Sequence, residues 1–111
     1  MADLGSFIET SAWGNDREFQ RKVRIMISLY AYAYEFEADP LVDDATFDEY
    51  AKLVDPKIKT VEDYYDRDRT HRAEKLDKFF KKEFKSYTGS WIHIHPDLEN
   101  VKRLYKVITN G

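Results

Sequence analysis

Residues 30–54 read YAYAYEFEADPLVDDATFDEYAKLV, and this stretch decides the fold. It completes an apolar pattern begun upstream: Phe19, Val23, Met26, Tyr30, Ala33 and Tyr34 recur at spacings of three and four, one face of a helix. The pattern holds to about Glu37 and must stop before Pro40, because the residue preceding a proline avoids helical angles. Asp43 then offers a carboxylate to the free amides of a second helix start. Phe47, Tyr50, Ala51 and Val54 follow at helical spacing, and Pro56 ends the segment. Two helices joined by about six residues make an antiparallel hairpin.

Upstream, Asn15 or Asp16 is the predicted cap of the first helix, and residues 1–14 read as a flexible arm. Downstream, Thr60 with Asp63 forms a short version of a capping box. Residues 61–87 are helix-compatible throughout. Leu76, Phe79, Phe80, Phe84 and Tyr87 give the second half an apolar stripe, with Lys75 to Lys85 supplying a solvated lysine face. The first half, DYYDRDRTHR, is almost all charge and reads as exposed or as a break between helices. Its mixed signs suit intrahelical pairs of about 0.2–0.5 kcal/mol each. Thr88, Gly89 and Ser90 mark a turn, and Trp91 to His95 reads as a short strand or extended loop. His95 or Asp97 caps a last helix with Pro96 near its start and Val101, Leu104, Tyr105 and Ile108 on its apolar face. The predicted class is mainly α: one small domain, residues 1–111, of about four to five helices.

The 111 residues suffice for one core, and 42% hydrophobic with 35% charged is a globular composition. There is no cysteine, which fits a reducing cytoplasm, the expected location. A net charge of −3 gives no pull toward nucleic acid. No apolar run approaches the roughly 20 residues of a membrane span, and MADLGSFIET lacks the basic start of a signal peptide. His93 and His95, with His71 or Asp97, fall short of the spacing a zinc site needs, so no metal is expected. Arg67, Arg69 and Arg72 sit among acids and read as paired surface charge. No Ser–His–Asp order and no Gly-rich phosphate loop stands out, so no catalytic residue is assigned.

The central stretch resembles the small N-terminal helical domain of bacterial NAD-dependent DNA ligases. Tyr30, Tyr34, Pro40, Val42, Asp44, Ala45, Phe47 and Asp48 match that family's Tyr-rich helix end, Pro-containing loop and acidic-Asp-Ala-x-Tyr-Asp helix start without a gap. The match covers about a quarter of the chain. The resemblance implies a site for nicotinamide mononucleotide (NMN), or that half of NAD, at Tyr34, Glu35, Asp44, Phe47 and Asp48. Tyr34 and Phe47 would stack on the cationic ring; Asp44 and Asp48 would accept from its amide and ribose hydroxyls. Glu35 stands where the family has histidine, and Phe47 where it has tyrosine. The family's nucleophilic lysine in a Lys-x-Asp-Gly setting is absent, as are zinc-binding cysteines.

The function expected is therefore a non-catalytic, ligase-domain-like binding module acting on another protein. Small stand-alone proteins of this type occur among phage genes, where a host enzyme or defence complex would be the target. Its expected surface is aromatic and acidic and includes Tyr32, Phe36, Tyr64 and Tyr65, which also suits a homodimer. Two alternatives follow from the same resemblance: an NMN- or NAD-binding protein, and an accessory subunit of a split ligase.

Overall fold

Ten residues without a charge, Ile25 to Tyr34, lie between Arg24 and Glu35, and in the computed structural model this run is the centre of the molecule. The structure describes residues 16–61 and 67–110. Among them the fold is mainly helical, with four α-helices, one 3-10 helix and no strand. Helix α1 spans Asp16–Glu37, α2 Asp44–Leu53, α3 Arg67–Lys82 and α4 Leu98–Asn110. The single buried face predicted for α1 is too narrow. Ile27, Leu29, Tyr30, Ala31, Tyr32 and Ala33 are all buried, and so is Ser28. A helix apolar all round must be covered all round. Here α2, α4 and the 3-10 helix pack on α1, and α3 reaches it through large side chains.

The hairpin forms as its sequence dictates. α1 ends where Ala38 turns left-handed at φ 48° and the Asp39 amide donates back to the Ala33 carbonyl at 3.0 Å. Asp43 caps α2 by accepting from the Thr46 amide at 2.8 Å. The far end of α2 is closed from α1: the Gln20 side chain donates to the Leu53 carbonyl and accepts from the Asp55 amide, both at 2.9 Å. Gln20 is buried with both ends of its amide satisfied.

The Arg24–Asp77 ion pair ties α3 to α1. Arg24 Nη1 donates to Asp77 Oδ1 at 2.9 Å, while Nη2 donates to the carbonyls of Asp55 and Ile58. Asp77 also accepts from the Thr60 amide, the Thr60 hydroxyl and the Val61 amide. Thr60 is thus engaged by Asp77, and Asp77 lies inside a network, not on the lysine face. Asp63, Thr60's predicted capping partner, lies outside the described residues, as do Asn15 and residues 1–14. The Arg24 guanidinium sits 5.2 Å over the Phe80 ring. Phe80 is the hub of an aromatic cluster with Phe79, Phe84, Trp91 and His95 at centroid distances of 5.3 to 6.1 Å.

Ser90–Ile94 is a 3-10 helix and not a strand. Trp91 and Ile92 are both buried. Neighbours on a strand point to opposite faces, so an edge segment cannot bury both; a tight helical turn can. The Ile92 amide donates to the Gly89 carbonyl at 3.1 Å, and the Trp91 indole N–H donates to the Thr88 carbonyl at 2.6 Å. α4 follows, its Tyr105 packed 5.3 Å from Tyr32 and donating to Asp39 Oδ2 at 2.8 Å.

Candidate functional site

The α1–α2 hairpin opens onto a cleft of about 360 Å³. α1 supplies Tyr30, Ala31, Tyr34 and Glu35, and the loop supplies Pro40, Leu41 and Val42. The start of α2 supplies Asp44, Phe47 and Asp48, and the turn after α3 supplies Tyr87, Thr88 and Gly89. All five residues at which the ligase resemblance implies a nucleotide site therefore line one cavity. Tyr34 and Glu35 come from the last turns of α1. Asp44, Phe47 and Asp48 sit at spacings of three and four on the first turns of α2, which places them on one face. The turn packs on both helices: a Cβ at Gly89 would lie in ordinary van der Waals contact, 3.5 Å from the Ala31 Cβ and 3.6 Å from Phe47.

The lining is aromatic and acidic. Three carboxylates and four aromatic rings face the space, and no lysine or arginine is among the lining residues. Glu35 Oε1 is bound by His93 Nε2 at 2.9 Å, so an imidazole from the 3-10 helix stands beside the cleft. Phe36 stacks between His93 (4.6 Å) and Tyr32 (5.1 Å) at the rim. The buried Tyr30 hydroxyl has no hydrogen-bond partner among the described residues. Burial, with Tyr50 close by, pushes its pKa up to about 12, so it stays a protonated donor. An unpaired buried hydroxyl costs about 1–3 kcal/mol, and here it belongs to a residue that lines the cavity.

The surface aromatics differ from expectation in one respect. Tyr32 is buried, 3% exposed, because α4 covers it and its hydroxyl donates to Glu37 at 2.6 Å. It cannot serve as a contact residue. Phe36 remains exposed at the rim. Tyr64 and Tyr65 lie outside the described residues. Tyr34 (57% exposed) and Tyr87 (80%) are the exposed aromatic residues of the lining. Tyr30, Tyr87 and Gly89 were not marked by the sequence as site residues. Tyr30 reads equally as core, and the contribution of the 87–89 turn depends on tertiary packing.

A second polar pair is buried elsewhere and has the wrong polarity for catalysis. His95 Nε2 lies 3.3 Å from the Ser28 hydroxyl. His95 Nδ1 accepts from the Asp97 amide at 3.0 Å, so the ring proton sits on Nε2 and points at Ser28. The Ser28 hydroxyl donates to the Arg24 carbonyl at 2.7 Å. The imidazole is thus a donor to this serine and not a base for it. Burial lowers the His95 pKa to about 4, with Asp97 opposing the shift. The unfolded chain therefore binds a proton near pH 6.5 that the folded chain refuses until about pH 4. This contribution is fully present above pH 6.5 and is lost as pH falls through that window, by roughly 2–3 kcal/mol at pH 4.5. Urea midpoints at pH 7.5 and 4.5 are expected to differ accordingly, and His95→Gln should remove that part of the difference.

No protein family, curated protein or solved structure matches the chain. No helix among the described residues is long and apolar enough to cross a membrane. Among the same residues, no group of three or more His, Cys, Asp or Glu could hold a metal ion.

Proposed function

We propose that this chain is a non-catalytic binding module, related to the ligase N-terminal domain, that engages a partner protein by taking a lysine or arginine side chain into the α1–α2 cleft. The observation that carries this reading is the lining itself: Glu35, Asp44 and Asp48 beside Tyr30, Tyr34, Phe47 and Tyr87, with no basic residue among them. Aromatic faces attract a cation by about 0.5–2 kcal/mol each, more as water is excluded. The carboxylates add charge-assisted hydrogen bonds. In a phage setting the partner would be a host enzyme or defence complex.

A second reading, an NMN-binding site, is favoured by the convergence of all five implied residues on one cavity. The cationic ring suits the lining, but the phosphate would meet carboxylates there. The two readings separate by experiment. Asp44→Asn with Asp48→Asn keeps side-chain size and removes two charges. A protein captured from bacterial lysate by the wild type should be lost with this pair and kept with Lys81→Gln, a change on exposed α3 surface. Capture unaffected by the pair would reject the cleft as the contact. Millimolar NMN should leave the melting temperature unchanged; a site filled at 100 times its dissociation constant would add about 2.7 kcal/mol and establish the second reading.

A further inference from the structure

Directly packed helices have axes about 8–10 Å apart, and none of the described Cα atoms of α3 comes within 8 Å of another helix. Large side chains bridge part of that distance. The rest is a groove of about 350 Å³ between α1, α3 and α4, which shares no lining residue with the α1–α2 cleft. Small-molecule pockets run from about 300 to 1,000 Å³ and are mostly apolar with a few placed polar groups.

Ile25, Ala73, Leu76, Phe80, Val101 and Leu104 make the apolar walls. The buried side chains that bring polar atoms to the groove are already bonded, with one exception. The Ser28 hydroxyl donates to the Arg24 carbonyl, and His95 lies between Ser28 and the Asp97 amide. The Thr60 hydroxyl donates to Asp77, and the Thr60 carbonyl accepts from Arg21. The exception is Arg24 Nε. Arg24 is 5% exposed and both its terminal nitrogens donate, yet this buried N–H has no acceptor among the described residues. A buried donor left without an acceptor is costly, and an oxygen lone pair brought into the groove would offset that cost. The guanidinium charge is already matched by Asp77 at 2.9 Å. What Arg24 lacks is therefore a lone pair and not a negative charge.

We propose that this groove binds a small uncharged molecule, mostly apolar, with one carbonyl oxygen that accepts from Arg24 Nε. The volume limits the apolar body to a single chain or a pair of fused rings, covered by Leu76, Phe80 and Leu104. Ketones, esters and amides of that size share this chemistry. The exposed arginine at the rim, Arg72, takes no part in recognition.

The test uses the full chain and prodan, an uncharged fluorescent naphthyl ketone whose emission moves to the blue in apolar surroundings. Saturable binding of one dye per chain is expected, with a blue shift. 2-Acetylnaphthalene should displace it. 2-Ethylnaphthalene, which has a methylene in place of the carbonyl, should compete about tenfold more weakly or worse, as loss of a hydrogen bond from a charged donor implies. 2-Naphthoate, which carries a negative charge instead, should also be the weaker competitor. Ile25→Glu and Arg72→Gln alter exposed groove residues, so both should fold with an unchanged circular dichroism spectrum. Ile25→Glu is expected to weaken prodan binding about tenfold, and Arg72→Gln to leave it within twofold of wild type. In ¹⁵N spectra the Arg24 Nε–H signal should move with 2-acetylnaphthalene and stay in place with 2-ethylnaphthalene. Non-saturable binding, wild-type affinity in Ile25→Glu, or 2-ethylnaphthalene or 2-naphthoate competing as well as the ketone would overturn the proposal.

Discussion

Asp77→Ala is expected to cost about 3–5 kcal/mol, because it leaves Arg24 buried without its counter-charge. Arg24 is 5% exposed, and the carboxylate that neutralises it also holds Thr60 and Val61. The substitution therefore strands a guanidinium and frees the loop that leads into α3. For a domain of this size the melting temperature should fall by roughly 15–30 °C. The double change Arg24→Met with Asp77→Leu removes the charge along with its partner. It should recover part of the loss, giving a coupling of about 2 kcal/mol in a double-mutant cycle. Additive losses would mean that the pair is not the joint described above.

Phe80→Ala is expected to cost a similar amount, about 3–5 kcal/mol, by opening a cavity in the aromatic cluster. Phe80 is 2% exposed and contacts Phe79, Phe84, Trp91, His95 and Arg24. Its ring is also part of what keeps water from His95. With the ring gone, the His95 pKa should rise toward its ordinary value, and the acid-linked loss of stability between pH 6.5 and 4.5 should shrink. A chemical-denaturation series across that range reads both effects. Equal pH slopes in wild type and variant would show that other groups desolvate the imidazole.

The hairpin was legible in the sequence because its signals are local. Pro40 forbids continuation of α1, and Asp43 bonds an amide three residues ahead. The five residues of the implied site came from the ligase resemblance and not from spacing; helical spacing adds only that Asp44, Phe47 and Asp48 share one face of α2. What was not legible depends on distant partners. Arg24 and Asp77 are 53 residues apart, and Glu35 and His93 are 58 apart; no periodicity encodes either pair. The depth of α1 did leave a trace. The uncharged run from Ile25 to Tyr34 is longer than one buried face needs, and its middle, Ile27 to Ala33, is buried on every side of the helix. Enclosure is also why Tyr32 is core and not surface. The 3-10 helix escaped because IHIH alternates like a strand, while the adjacent Trp91 and Ile92 are the residues that the core takes.

The central claim is that the α1–α2 cleft takes a cationic side chain, and amide chemical shifts test it most directly. The ¹⁵N-labelled chain would be titrated with acetyl-Gly-Arg-Gly-amide and with the same peptide carrying citrulline, which matches arginine in shape but is uncharged. The arginine peptide is expected to move the amides of residues 30–48 and 87–89 while the citrulline peptide leaves them in place. Equal shifts from both peptides, or shifts from arginine only outside those residues, would contradict the account.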